Sequence, residues 1–220
     1  MRDTVSISNS NRSSLLSEIK SRLNSNTKLK KIVHGILIPK GQAEPRKFVQ
    51  LLVNPFFHSI SRSARVKNTS RLDVFPFNDF KVGRNTTIED YTVINNGVGD
   101  VLIGSDSRLG IGSVVMGPVQ IGDSTITGQN CLITGLDHNF DNINIPIKDQ
   151  GVTTKSTSIG SGTFIGANVN ILPGVSIGNN VVIGAGSVVT RDVPSYHIAA
   201  VNPARLIKKY DNEVDKWINL

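Results

Sequence analysis

The sequence predicts a mainly β protein wound as a parallel solenoid, and three features carry that prediction. An apolar or β-branched residue returns at every sixth position: Ile103, Leu109, Val115, Ile121, Thr127 and Ile133, then Ile159, Ile165, Ile171, Ile177, Ile183 and Val189. The fifth column of the repeat, four places after this first one, holds small or β-branched residues: Ser107, Ser113, Val119, Thr125 and Cys131, then Thr163, Val169, Val175, Val181, Ser187 and Val193. Twenty glycines and only 5% aromatic residues fit tight turns and disfavour a helical bundle. A period of six matches neither a 3.6-residue helical face nor a hairpin meander. It fits short strands joined by turns, three of which close a triangular coil of about eighteen residues. Each first-column Ile or Val stacked inside such a coil contributes about 1.5–3 kcal/mol by burial. Glycines in the second column, at 160, 166, 178 and 184, are read as relieving backbone strain at the corners.

Ahead of the repeats, residues 1–72 read as a basic, largely helical segment. Residues 1–70 carry 13 Lys/Arg against 3 Asp/Glu, so the overall net charge of +7 is concentrated there and the remainder is acidic. Helices are expected at about 14–38 and 45–53, the second stopped near Pro55, with "IVHGILI" and "FVQLLV" docked on the first coil. A basic arm of this kind suits an anionic membrane surface or a phosphorylated substrate. No aromatic or RNA-binding motif accompanies it, which disfavours nucleic acid. The solenoid is expected over 73–196, with Val82, Ile88 and Ile94 continuing the period upstream. A turn and a helix are expected over 197–220, with helical spacing from Ala204 to Trp217. The polar start lacks a signal-peptide core and no eighteen-residue apolar run occurs, so a cytoplasmic protein is expected, with peripheral association at the inner face of the membrane open to it through the basic arm. The lone cysteine, Cys131, excludes an internal disulfide and falls in a buried column.

The rhythm breaks between Ile133 and Ile159, where an excursion over about 136–158 opens with "LDHNF". Loops of that length in compact proteins are commonly functional. An imidazole is suited to general base catalysis at neutral pH, which makes His138 the candidate base. Asp137 and Asn139 are candidates to orient it, or to cap the turn.

The repeats resemble those of the hexapeptide-repeat acyltransferases, and "DHNF" followed by "IPI" resembles their sugar O-acetyltransferase branch. The resemblance covers about residues 80–210 and implies a left-handed parallel β-helix, a homotrimer and acetyl-CoA as co-substrate. His138 would then deprotonate an acceptor hydroxyl as it attacks the thioester, in direct transfer to a sugar or glycan. The backbone N–H near Ala167 would hold the oxyanion. Ala167 and Ala185 would line the pantetheine path, and Thr190, Arg191, Arg205 and Lys208 would contact the cofactor, the basic ones at its phosphates. Phe164 stands where the family commonly has Trp and would stack on the acceptor sugar. A carboxylate that some members place one coil before the histidine is Met116 here. Metal chemistry is not expected, because His34, His58, His138 and His197 lack ligand spacing. The competing readings are acetylation of serine or an antibiotic, and a non-catalytic trimeric scaffold.

Overall fold

The computed structural model describes residues 26–39 and 44–220. Eighteen short strands wind into six coils of a left-handed parallel β-helix with three flat sides. The first side stacks β1 (Ser59–Ile60), β4 (Phe80–Val82), β7 (Val101–Ile103), β10 (Val119–Ile121), β15 (Thr157–Ile159) and β18 (Ser176–Ile177). The second stacks β2 (Arg65–Val66), β5 (Thr87–Ile88), β8 (Arg108–Leu109), β11 (Ile126–Thr127), β16 (Phe164–Ile165) and β19 (Val182–Ile183). The third stacks β3 (Arg71–Asp73), β6 (Val93–Asn95), β9 (Val114–Met116), β12 (Leu132–Thr134), β17 (Asn170–Ile171) and β20 (Val188–Val189). The first coil opens at Ser59, ahead of the boundary expected at 73.

The first column forms the core, with Ile88, Ile94, Leu109, Val115, Ile133, Ile165, Ile171, Ile183 and Val189 fully buried. Along the first side the partners run Ile60, Val82, Ile103, Ile121, Ile159 and Ile177, so successive coils are 22, 21, 18, 38 and 18 residues long. Within every coil the spacing from side to side stays six, and all the extra residues enter at the edge between the third and first sides.

The second-column glycines serve a purpose other than the expected one. Their backbone angles are ordinary, and a Cβ on Gly160 would lie 2.6 Å from the Gly178 carbonyl, while one on Gly166 would lie 2.5 Å from the Ala185 nitrogen. Close approach of the next coil excludes a side chain there. Positive φ falls instead on the fourth column, at Asn85, Asp106, Asn130, Asn168 and Asn180 among others, residue types that tolerate the left-handed region.

Polar members of the fifth column are buried because they bond from coil to coil. At the edge between the first and second sides, Ser107 Oγ donates to Gly122 O at 2.9 Å, Thr125 Oγ1 to Gly160 O at 2.7 Å and Thr163 Oγ1 to Gly178 O at 3.0 Å. The same hydroxyls accept from the next coil's backbone, Thr125 N–H donating to Ser107 Oγ at 3.0 Å and Val181 N–H to Thr163 Oγ1 at 3.3 Å. The next edge repeats the device with Cys131, whose buried thiol donates to Gly166 O at 3.1 Å.

At the amino-terminal end, helix α1 (Thr27–Leu37) and a helical run made of a π turn (Val49–Val53) and helix α2 (Asn54–Phe57) cover the first coils. Pro55 sits in the first turn of α2 and does not end the run. Leu37 and Val49 pack with Phe75 and Phe77, which belong to the extra residues between the first two coils. Asn54 Nδ2 donates to Val74 O at 2.9 Å and ties the run to the same segment. Residues 14–25 of the first expected helix lie outside the described residues.

The expected carboxy-terminal helix is replaced by strands. After the last coil, β21 (His197–Ala200) pairs parallel with β19, and β22 (Arg205–Asp211) and β23 (Lys216–Asn219) add an antiparallel hairpin. The second side would otherwise end in unpaired backbone N–H and C=O groups, and a hairpin satisfies one such edge where a helix cannot. Trp217 packs edge-on against its cross-strand partner Tyr210, with ring centroids 5.3 Å apart.

The hydroxyl ladder predicts the effect of an isosteric change. Thr125→Val should lower the unfolding free energy in urea by about 1–3 kcal/mol, because the Gly160 carbonyl is left buried without a donor. Unchanged stability would show that the ladder is incidental.

Candidate active site

The excursion leaves the solenoid through a narrow neck. Gly135 is required there, because a Cβ would lie 2.3 Å from the Pro118 carbonyl oxygen. Gly135 N–H donates to Met116 O at 2.8 Å, and its carbonyl accepts from Lys155 N–H at 2.9 Å, so the outgoing and returning strands are joined at the base. Thr157 Oγ1 donates to Thr134 O at 2.8 Å and accepts from Gly174 N–H at 3.1 Å, locking the return to the next coil.

Beyond the neck the chain is ordered by hydrogen bonds. Strands β13 (Leu136–His138) and β14 (Val152–Thr154) form an antiparallel ribbon with Leu136 opposite Thr154, Asp137 opposite Thr153 and His138 opposite Val152. Gln150 ties the far end: its Nε2 donates to the Asn142 and Ile145 carbonyls at 2.8 and 2.7 Å, and its Oε1 accepts from Asn142 N–H at 3.1 Å. A 3-10 turn, Ile147–Asp149, completes the return. Sequence reading missed Gln150, since nothing in its neighbourhood marks a side chain that replaces three backbone partners.

His138 is exposed near the tip of the ribbon. Side chains alternate along a strand, so His138 shares a face with Leu136, Val152 and Thr154, while Asp137 and Asn139 face the other way. Asp137 Oδ1 accepts the His138 backbone N–H at 2.9 Å. Asn139 Nδ2 donates to Gln150 O at 3.1 Å, and its Oδ1 accepts from Thr153 Oγ1 at 2.6 Å. Among the described residues, neither side chain bonds to the imidazole; both hold the ribbon's frame. A hollow of about 310 Å³ lies between the ribbon and the solenoid edge, lined in part by Asp137, His138, Asp141, Thr153, Lys155 and Thr190. Lys155, absent from the expected set, is positioned by its stem, which crosses Gly174 so closely that a Cβ there would lie 3.1 Å from the Lys155 Cβ.

The remaining expected residues gather elsewhere. Phe164, Ala167 and Ala185 line a trough of about 630 Å³ on the second side and its edge with the third, floored by glycines 110, 128, 166 and 184. Those glycines make the floor smooth, and the Ala167 N–H has no hydrogen-bond acceptor among the described residues. Sheet register puts Ile126, Phe164, Val182, Ile198 and Lys208 in one row across the second side, and Arg205 follows on the same hairpin. Arg191 is exposed beside Thr190, and Asp192 is spent on the Ser176 N–H at 2.8 Å. The structure therefore brings Thr190 to the hollow beside His138 and puts Lys208 two strands beyond Val182 in the row that runs through the trough, and the hollow and the trough lie on different edges of one chain. Cys131 belongs to neither. It is buried, and burial pushes its thiol pKa up, away from the reactive thiolate.

Residues 100–135 and 156–191, the two blocks that flank the excursion, match the bacterial transferase hexapeptide family model (six repeats). A Mycobacterium tuberculosis protein named a probable acetyltransferase is 36% identical over 130 residues, covering 58% of this chain and 43% of its own. Escherichia coli WbbJ, whose name assigns it to lipopolysaccharide biosynthesis as an O-acetyl transferase, is 37% identical over 108 residues, covering 45% of this chain and 54% of its own. The chain thus spans about half the length of these curated relatives. Among solved structures, a variant of the N-acyltransferase AntD from Bacillus cereus, bound to dTDP-4-amino-4,6-dideoxyglucose and coenzyme A, superposes with a TM-score of 0.60. That match has 21% identity and covers 72% of this chain and 86% of the other, a likeness of fold. In its repeats and in its solenoid the chain resembles the bacterial hexapeptide-repeat transferases.

Proposed function

We propose that this protein moves an acetyl group from acetyl-CoA directly to a hydroxyl of a sugar or glycan, with His138 as general base. The observation that carries the reading is the placement of His138, an exposed imidazole on a clamped ribbon at the longest interruption of the solenoid, bordering a polar hollow. A hydroxyl is too weak an acid to ionise beforehand, so His138 takes its proton as the oxygen attacks the thioester carbonyl. The carbon–sulfur bond then breaks, and His138 returns the proton to the leaving thiolate.

The rest of the chain supplies binding and charge. Asp141, Thr153, Lys155 and Thr190 offer hydrogen bonds to a hydroxylated acceptor, while Asp137 and Asn139 hold the ribbon that presents the base. The free Ala167 N–H is the donor for the developing oxyanion, and the smooth trough past Ala185 accommodates a pantetheine arm. Arg191, Arg205 and Lys208 serve the phosphates, and Phe164 offers an apolar face to the acceptor. Because base and trough lie on different edges of one chain, a complete site needs the base of one subunit against the trough of another. A homotrimer meets that requirement. The E. coli relative named for lipopolysaccharide O-acetylation supports a glycan acceptor.

Thiol release from acetyl-CoA, measured against free, nucleotide-linked and polymeric sugars, tests the reading. His138→Ala should lower kcat by about 100- to 10,000-fold with thermal unfolding unchanged, and a fully active variant would overturn the assignment. Absence of thiol release with every acceptor in the panel would favour the scaffold reading. In the trough, Ala185→Phe should raise KM for acetyl-CoA about tenfold or more with little change in kcat, the pattern of lost ground-state binding; an unchanged KM would place the cofactor elsewhere.

A further inference from the structure

The amino-terminal helices bury only part of their apolar surface. On α1, Val33 and Leu37 pack toward Phe75 and Phe77, while Ile32 and Ile36 are 61% and 55% exposed. On the second helical run Val49 and Val53 face the same cluster, and Leu51, Leu52 and Phe56 are 72%, 68% and 59% exposed. Both segments use their inner residues on one cluster, so their outer residues crowd at the same end of the molecule. Scattered exposed leucines are ordinary, but a group of this size marks an interaction surface.

Charge selects the partner. Residues 27–57, the stretch that contains both helical segments, carry six Lys/Arg and a single acid, Glu44. A face that is apolar and cationic together has two needs, removal of side chains from water and neutralisation by fixed anions. An anionic bilayer surface meets both, with apolar side chains at the acyl boundary and Lys/Arg among the headgroups. Nucleic acid answers only the charge. α1 has eleven residues and is too short to span, so such a segment lies in the interface.

We propose that the face formed by α1 and the run Val49–Phe57 docks this protein on anionic membrane surfaces. The inference is independent of the acetyl-transfer reading. The full-length protein should sediment with equimolar phosphatidylcholine/phosphatidylglycerol vesicles at low salt and much less with phosphatidylcholine alone. The triple variant Leu51→Ser/Leu52→Ser/Phe56→Ser should lower binding about tenfold or more, and Arg46→Glu/Lys47→Glu should both weaken it and flatten its dependence on salt. Thiol release with a soluble acceptor, and the circular dichroism spectrum, should be unchanged in both variants. Absence of binding to the anionic vesicles at low salt, or equal binding by the triple variant, would overturn the proposal. So would a change in oligomer size of the triple variant in sedimentation velocity, which would make the face a contact with a second copy of the chain.

Discussion

Close contact between successive coils is the constraint on which the rest of the molecule depends. Parallel strands sit about 4.8 Å apart, so each corner must hand its backbone groups to the corner above with no side chain intervening. Second-column glycines make room, and the hydroxyls of Ser107, Thr125 and Thr163 with the thiol of Cys131 bridge what remains. A larger residue at either position would separate the coils. At Thr125, which bridges two coils, an apolar residue would leave the Gly160 carbonyl without its donor.

That constraint explains where function can be added. Bridges of hydroxyl and thiol recur along the two edges on either side of the second side, where every coil keeps the six-residue spacing, and Thr157 supplies one at the third edge. Extra residues enter only at the remaining edge: the segment that anchors the helices, a short one between the second and third coils, and the excursion that carries His138. The same arithmetic places the smooth trough on an edge that admits no insertion. The rules that build the coil thus keep His138 and the trough, the proposed base and cofactor path, on separate edges. Assembly of copies, rather than folding of one, is the economical way to join them.

The ladder of Ile and Val was legible because its period is set by local chain geometry. The excursion that carries His138 was legible because it interrupts that period. Three readings failed for reasons outside local sequence. The hairpin at 205–219 looked helical because the spacing of Leu206, Ile207 and Tyr210 suits a helix, whereas the deciding influence is an open sheet edge made by residues far upstream. The second-column glycines were assigned to backbone strain when their reason is the coil above. Positive φ resides in the fourth column, where the Asn and Asp residues carried a signal that the apolar columns overshadowed.

The neighbours of His138 show how local structure divides labour within a loop. Adjacent in sequence, Asp137 and Asn139 are natural candidates to orient the imidazole; on a ribbon, adjacency puts them on the opposite face. Their bonds to the His138 amide, Thr153 and Gln150 stiffen the strand that carries the base. The base needs such stiffness because a small misplacement of a reacting group costs far more rate than its binding energy suggests. One face of the ribbon therefore supplies rigidity and a polar wall to the hollow, and His138 stands exposed at the rim of the same hollow. As the proposed base, His138 is exposed, rigidly mounted and without an orienting partner among the described residues, so the proposal requires that partner to arrive with the substrate or with another subunit.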